Sequence, residues 1–302
     1  MTKPVSNWLV AGLCGALLML SGCATNPATG EQDLNFMSLA DEKRIGAQEH
    51  PKILAQFGGE VKNDRLKAYV TRVGEKVAAK SELADQKFTF TVLDSPVVNA
   101  FALPGGFVYV TRGMMAIMNS EDELAGVIGH EIGHVTARHG SRRQARGTIA
   151  QLGVAVLAVV TNNRDVAQLG SIGAQAFLAS YSRDNEYESD QLGVRYLKRT
   201  GYNPLGMAQS LSALGRNADF LAKKNGGTGS QYNFFSTHPR TPDRVSRATA
   251  KARENGGAVT QPVAAKPYLT AIDGMVYGPS AAQGFVLGNR FSHPVLKFTF
   301  AV

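Results

Sequence analysis

The stretch "LAGVIGHEIGHVT", Leu124 to Thr136, constrains this chain more than any other. Its apolar and small residues predict a buried helix, yet it carries His130, Glu131 and His134 and no other ionisable side chain. At about 100° per residue, Leu124, Val127, Ile128 and Val135 form one apolar stripe, with Glu131 in its middle and both histidines along its edge. Ala125, Gly126, Gly129, Gly133 and Thr136 lie on the opposite side, all small enough for another element to pack closely. Each interior glycine costs roughly 1 kcal/mol against alanine, which close packing must offset. Ser120 and Glu123 make an S-x-x-E capping box at the start. Gly140 is the expected stop, with Arg138 complementing the dipole.

A buried carboxylate without a partner is costly, and two neutral histidines do not relieve it. A metal cation does. His130 and His134, at i and i+4, share a face and can both turn a ring nitrogen to Zn²⁺, leaving Glu131 as general base: the HExxH logic. A third ligand must come from elsewhere. Position 140 is glycine, so no histidine stands ten residues after His130, and His139 lies about 140° round the helix from His134. "NEYESD" places Glu186 and Asp190 at i, i+4. That spacing lets Glu186 ligate while Asp190 orients a ligand histidine through its other N–H. Asp184 and Glu188 read as solvated acids, and Glu188 faces away from Glu186.

Around this helix the pattern is mixed. Helical periodicity runs near Ser38 to Phe57, Glu60 to Lys80, Asp165 to about Arg199, Pro204 to Leu214 and Thr241 to Arg253. "KFTFTVLD" and "FVYVT" read as strands on either side of the Pro- and Gly-bearing "SPVVNAFALPGG". "TIAQLGVAVLAVV", Thr148 to Val160, is short for a membrane span and reads as a core helix. The expected fold is α+β and mostly helical, with the HExxH helix on a small sheet and a small β-rich appendage at the C-terminus.

The N-terminus reads as a targeting segment: Lys3, an apolar core from Trp8 to Leu20, then "LSGC". "LSGC" resembles a bacterial lipobox, which implies cleavage before Cys23 and lipidation of its thiol. Cys14 and Cys23 are the two cysteines, so a mature chain starting at Cys23 has neither a disulfide nor a thiolate ligand. With Ala24 rather than aspartate after the cysteine, the resemblance implies the outer membrane. The formal charge of +8, from 32 Lys+Arg against 24 Asp+Glu, is dispersed. No basic stripe interleaved with aromatics is present, so nucleic acid is not an expected partner.

"GVIGHEIGHVTARH", "YSRDNEYESDQLGV", "NAFALPGG" and "STHPRTPDR" stand in the order in which they occur in the gluzincin metallopeptidases of the HtpX, Oma and CAAX-prenyl-protease family. Over roughly residues 38 to 253 this chain resembles that family, and most of all its periplasmic lipoprotein branch. The resemblance implies a zincin-like domain with one Zn²⁺ per chain, Glu186 as third ligand and Asp190 behind a histidine. It also places Asn99, Ala100 and Phe101 beside the substrate, and His238 and Arg244 close to the zinc. His238 then has two readings: a donor to the tetrahedral oxyanion, or a fourth ligand that closes the site. A helix-capping "THP" turn is the plainer alternative. His50 and His293 are expected to be inert.

The implied organisation is a signal peptide over 1–22, a tether over 23–37 and a zinc metallopeptidase domain over 38–253. A linker over 254–266 and an accessory segment over 267–302 complete it. The implied activity is hydrolysis of unfolded or misassembled proteins, including outer-membrane polypeptides, at the periplasmic face of the outer membrane. A zinc-bearing assembly factor and a cell-wall hydrolase are the competing readings. Glu131 favours an enzyme, since a structural site has no use for a base.

Overall fold

The computed structural model describes residues 23–161, 180–224, 234–258, 265–278, 285–287, 289–293 and 297–301. In chain order these form a hairpin of β1 (Cys23–Thr25) and β2 (Gln32–Leu34), then helices α1 (Leu39–Gln56) and α2 (Asp64–Ala78). Strands β3 (Thr89–Leu93), β4 (Ala100–Leu103) and β5 (Phe107–Thr111) follow, then α3 (Arg112–Ile117) and α4 (Glu121–Thr136). Helices α5 (His139–Thr161), α6 (Arg183–Thr200), α7 (Leu205–Lys224), α8 (Phe234–Thr237), α9 (Arg244–Glu254) and α10 (Ala265–Ile272) come next. Strands β6 (Phe285–Leu287), β7 (Arg290–His293) and β8 (Phe298–Ala301) end the described chain.

Every residue of α4 is buried. Leu124, Ile128 and Ile132 meet the stripe Leu66, Val70, Val73 and Val77 of α2 and the inward residues Val92, Val108 and Val110 of the sheet in one core. Each such side chain contributes about 1.5–3 kcal/mol by leaving water. The sheet runs in the order β3–β5–β4, with β3 parallel and β4 antiparallel to β5. Among the described residues β4 pairs only with β5, so it is an edge strand. The turn into β5 needs left-handed backbone at Gly105 (φ 84°) and Gly106 (φ 88°), which glycine supplies without strain.

The small side of α4 is a seam. A Cβ added to Gly126 would lie 2.9 Å from the Gly206 carbonyl oxygen of α7. One on Gly129 would lie 3.3 Å from Gly193 Cα, and one on Gly133 would lie 3.1 Å from Ser189 Cα, both on α6. The glycines that weaken α4 as an isolated helix are therefore what lets α6 approach closely enough to bring its acids to the histidines.

Several boundaries differ from the sequence reading. Ser120 Oγ accepts from the Glu123 N–H at 3.2 Å, but the Glu123 carboxylate accepts from Asn119 N–H at 2.9 Å instead of closing the box on Ser120. The helix stops at Thr136, ahead of Gly140, because Arg138 turns left-handed (φ 53°). Its guanidinium is held there by Glu42 at 2.7 Å and by the Met37 carbonyl, and Gly140 falls inside α5. Helix α7 runs on to Lys224, because its apolar periodicity ends at Leu214 while the solvated remainder stays helical.

Residues 265–278 also depart from a β-rich appendage. They hold α10, whose Tyr268 is fully buried and donates to the Met115 carbonyl. Buried Arg112 reaches the carbonyls of Val276 and Gly278 as well as Asp94. The β-rich part is the antiparallel sheet β6–β7–β8. The signal peptide, the side chain of Cys23, the first part of the helix expected from Asp165 and the side chains of 151–161 lie outside the described residues. Among the described residues no helix is long and apolar enough to cross a membrane.

Candidate metal centre

Four buried side chains from three elements converge: His130 and His134 of α4, Glu186 of α6, and His238 just after α8. Their donor atoms all lie within 4.8 Å of one another. Glu186 arrives because Ser182 caps α6, its side chain accepting from Asn185 N–H, and because the glycine seam holds α6 against α4. His238 arrives by stacking on Phe234, with ring centroids 4.3 Å apart and an interplanar angle of 11°. That placement separates it from the N-cap of α9, which is Asp243.

The hydrogen bonds decide which nitrogens are free. Asp190 Oδ1 stands 2.9 Å from His130 Nδ1. An ionised carboxylate only accepts, so Nδ1 carries a proton, and the neutral ring that a metal ligand requires presents its lone pair on Nε2. That lone pair faces His134 Nε2 at 3.0 Å, His238 Nδ1 at 3.3 Å and Glu186 Oε2 at 3.6 Å. Glu186 Oε1 is 3.4 Å from His134 Nε2 and 3.1 Å from His238 Nδ1. A tetrahedral zinc with bonds of 2.0–2.1 Å holds its donors about 3.3 Å apart. This donor set therefore fits Zn²⁺.

Glu131 is the second feature that fits a cation at this position. It is 1 % exposed, and neither carboxylate oxygen has a hydrogen-bond partner. His238 Nε2 stands 3.7 Å from its Oε1. Burial raises the pKa of Glu131 against the opposing pull of His238 and His130. Glu186 behaves in the opposite way: burial would raise it, but the surrounding imidazoles of His238, His134 and His130 hold it well below the usual range. Burial pushes His134 well down, toward the neutral form a metal ligand needs.

Arg244 ties the acids together. Its Nε and Nη2 donate to the two oxygens of Asp190 at 2.9 and 2.8 Å, and Nη1 stands 2.6 Å from Glu186 Oε2. Burial alone would raise the Asp190 carboxyl, but Arg244 and His130 keep it below the ordinary carboxylate value.

Asn99 and Phe101 line a groove of about 750 Å³ beside this cluster, with Ile53 and Phe57 of the α1 end, Val97 and His238. Ala100 is fully buried and faces the core. His50 pairs with the Tyr109 hydroxyl at 2.7 Å and is not among the clustered donors. Sequence reasoning missed three neighbours. Tyr181 stacks on His134 with centroids 3.9 Å apart, and burial pushes its hydroxyl up to about 12. His139 Nδ1 is 2.8 Å from His134 Nδ1, and Glu188, read as a solvated acid, meets His139. The spacing of His139 ruled it out as the third ligand from the same helix and said nothing of a contact behind the ligand.

A family model described as peptidase family M48 matches residues 64–252, over half of the chain. The putative beta-barrel assembly-enhancing protease of Vibrio cholerae serotype O1 is 28% identical over 258 residues, 80% of this chain and 51% of that protein. The mitochondrial metalloendopeptidase OMA1 of Schizosaccharomyces pombe is 28% identical over 246 residues, 79% of this chain and 68% of that protein. Metalloprotease YcaL of Escherichia coli K12 is 35% identical over 151 residues, 49% of this chain and 56% of that protein. The chain spans about half the length of the beta-barrel assembly-enhancing proteases of Vibrio and Escherichia. With the HExxH helix, the acid-bearing α6 and the donor cluster inside the matched region, this chain belongs to peptidase family M48, a family of metallopeptidases.

Proposed function

We propose that this chain is a zinc-dependent endopeptidase. The observation that carries the proposal is Glu131: a buried carboxylate without a hydrogen-bond partner, beside a four-donor cluster whose His238 lines the groove along β4. His130, His134 and Glu186 would hold the ion. Asp190 fixes the His130 tautomer, and Arg244 holds Asp190 and Glu186 in register. A bound zinc supplies Lewis-acid activation of water and of the scissile carbonyl. Glu131 takes the proton of the attacking water at a carboxylate oxygen and returns it to the leaving amine.

Substrate lies along β4 as an added strand, its backbone pairing with the free edge near Asn99 to Leu103. Main-chain pairing reads little sequence, which suits unfolded or misassembled polypeptides. The names of the beta-barrel assembly-enhancing relatives support outer-membrane polypeptides among the substrates, and the lipobox-like "LSGC" before Ala24 supports the periplasmic face of the outer membrane as the location. Lipid on Cys23 would anchor the chain there through residues 23–37, with the peptidase domain at 38–253.

One observation favours a closed resting state. His238 Nδ1 occupies the fourth donor position, and four protein ligands make a shut site. An assembly factor with a permanently closed zinc is the corresponding alternative. Zinc content and cleavage of casein and of an unfolded porin, with and without a chelator, test the choice. One zinc per chain with chelator-sensitive cleavage upholds the protease. One zinc with no cleavage by wild type or by a variant lacking His238 supports the assembly factor.

A further inference from the structure

We propose that His139 and Glu188 are positioning residues that fix the tautomer of His134 and so aim its Nε2 into the metal centre. The inference rests on the zinc reading of the site. It starts from a contact that is unusual in itself: His139 Nδ1 lies 2.8 Å from His134 Nδ1. Two ring nitrogens at that distance need one proton between them, because two lone pairs or two N–H groups would repel.

The other end of His139 decides which nitrogen carries it. Nε2 stands 3.0 Å from Glu188 Oε2. An ionised carboxylate only accepts, so the His139 proton is on Nε2 and its Nδ1 is a lone pair. That lone pair must accept from His134 Nδ1–H, and Ser189 Oγ, 3.3 Å from the same nitrogen, is placed to donate as well. His134 then has its lone pair on Nε2, the atom in the donor cluster. One protonation pattern thus satisfies every contact from Glu188 to the metal position. It mirrors the Asp190–His130 pair across the site, with a histidine relaying the carboxylate.

Glu188 is itself braced. Asn26 Nδ2 lies 3.4 Å from Oε1, in the turn of the β1–β2 hairpin, and Arg142 Nη2 lies 3.4 Å from Oε2. Arg142 also pairs with Asp33 of the same hairpin. The segment directly after Cys23 therefore supports a contact that ends at His134, and the geometry of the metal centre depends on a hairpin far from it in sequence.

The test is the zinc dissociation constant by chelator competition for wild type, His139→Leu, His139→Asn, Glu188→Leu and Glu188→Gln, with thermal unfolding of each zinc-free protein. Asparagine puts an amide oxygen where Nδ1 stands, and glutamine keeps an acceptor for Nε2–H. Both leucine variants are expected to bind zinc about 10- to 100-fold more weakly, the usual effect of losing the partner behind a ligand histidine. The asparagine and glutamine variants are expected to recover most of that loss. A purely structural role would track zinc-free stability and would not separate leucine from the acceptor-bearing variants at equal stability. Leucine variants with wild-type affinity, or equal losses in leucine and acceptor variants, would overturn the proposal. Wild type that binds no zinc would overturn the zinc reading of the whole site instead.

Discussion

Nδ1 of His238 lies 3.3 Å from Nε2 of His130, the separation expected of two ligands on one zinc. A side chain in that position blocks the place a substrate or water must take. Removing it opens the site while leaving three ligands. If the closed arrangement holds about nine-tenths of the molecules, His238→Ala raises casein cleavage about tenfold, because apparent activity scales with the open fraction. Zinc stoichiometry stays at one. A fall in cleavage at unchanged zinc content would instead assign His238 to oxyanion stabilisation.

Glu131 separates chemistry from metal binding. Glu131→Gln removes the base and keeps the shape, so cleavage falls by about 10²–10⁴-fold, the range for a positioned acid–base group. Zinc content is unchanged, since Glu131 is not among the four clustered donors. The amide also removes a buried ionisable group without a hydrogen-bond partner, so the zinc-free protein unfolds at the same temperature or higher. Cleavage assays, metal analysis and thermal melts on one preparation check all three statements. Loss of zinc in this variant would mean that Glu131 ligates.

Acid lability is expected from the far end of the same helix. Glu121 accepts from Arg72 Nη2 at 2.8 Å and from the Tyr202 hydroxyl at 2.6 Å. Burial works against its carboxylate, but Arg72 and Tyr202 outweigh it and lower its pKa below the model-compound value of 4.5. A lowered folded-state pKa means that the unfolded chain takes up this proton first. The stabilisation is complete above about pH 4.5 and disappears as pH falls through the folded-state value. Melting temperature followed from pH 7 to pH 3 should drop less steeply for Glu121→Gln than for wild type. Parallel curves would show that Glu121 contributes nothing to acid unfolding.

What was legible in the sequence was local. His130, Glu131 and His134 are displayed by one helical period, and Glu186 with Asp190 by another, so their chemistry could be read at i, i+4 spacing. The small side of α4 could also be read as a seam, although nothing local said that Gly206 and Gly193 would fill it. The rest depended on contacts between distant segments. Glu188 faces away from Glu186 on its helix, yet 49 residues separate it from His139, which it meets. Arg138 ends α4 only because Glu42 is there to hold it. Tyr268 and Arg112 join residues 265–278 to the core through backbone carbonyls, which carry no sequence signal.

The seam can be tested directly. A methyl group on Gly206 would sit 2.3 Å from the Asp122 carbonyl oxygen, a backbone atom that cannot swing aside. Gly206→Ala must therefore push α7 away from α4. Overpacking of this kind costs about 1–3 kcal/mol, and each kcal/mol lowers Tm by roughly 2–4 °C in a domain of this size. Gly140, whose added Cβ would come no closer than 3.7 Å to Pro104, is the control, and Gly140→Ala should leave Tm unchanged or slightly raised. Equal Tm for wild type and Gly206→Ala would show that the helices have room to spare.

The groove wall sets an expectation for side-chain preference. Ile53 and Phe57 at the end of α1 line the groove together with Val97, Phe101 and Leu103, and the Phe57 and Phe101 rings pack with centroids 5.3 Å apart. An apolar wall beside an edge strand rewards a bulky apolar substrate side chain at the strand positions that point into it. Burying a leucine or phenylalanine there is worth about 1.5–3 kcal/mol, or roughly 10- to 150-fold in kcat/KM over serine at the same position. Phe57→Ala removes half of that packed aromatic pair without touching the donor cluster. It should lower kcat/KM about tenfold for peptides with phenylalanine or leucine at that position and much less for those with serine. The comparison requires a peptide series varied one position at a time around a mapped cleavage site. A uniform loss across the series would mean that Phe57 supports the strand itself and not the substrate side chain.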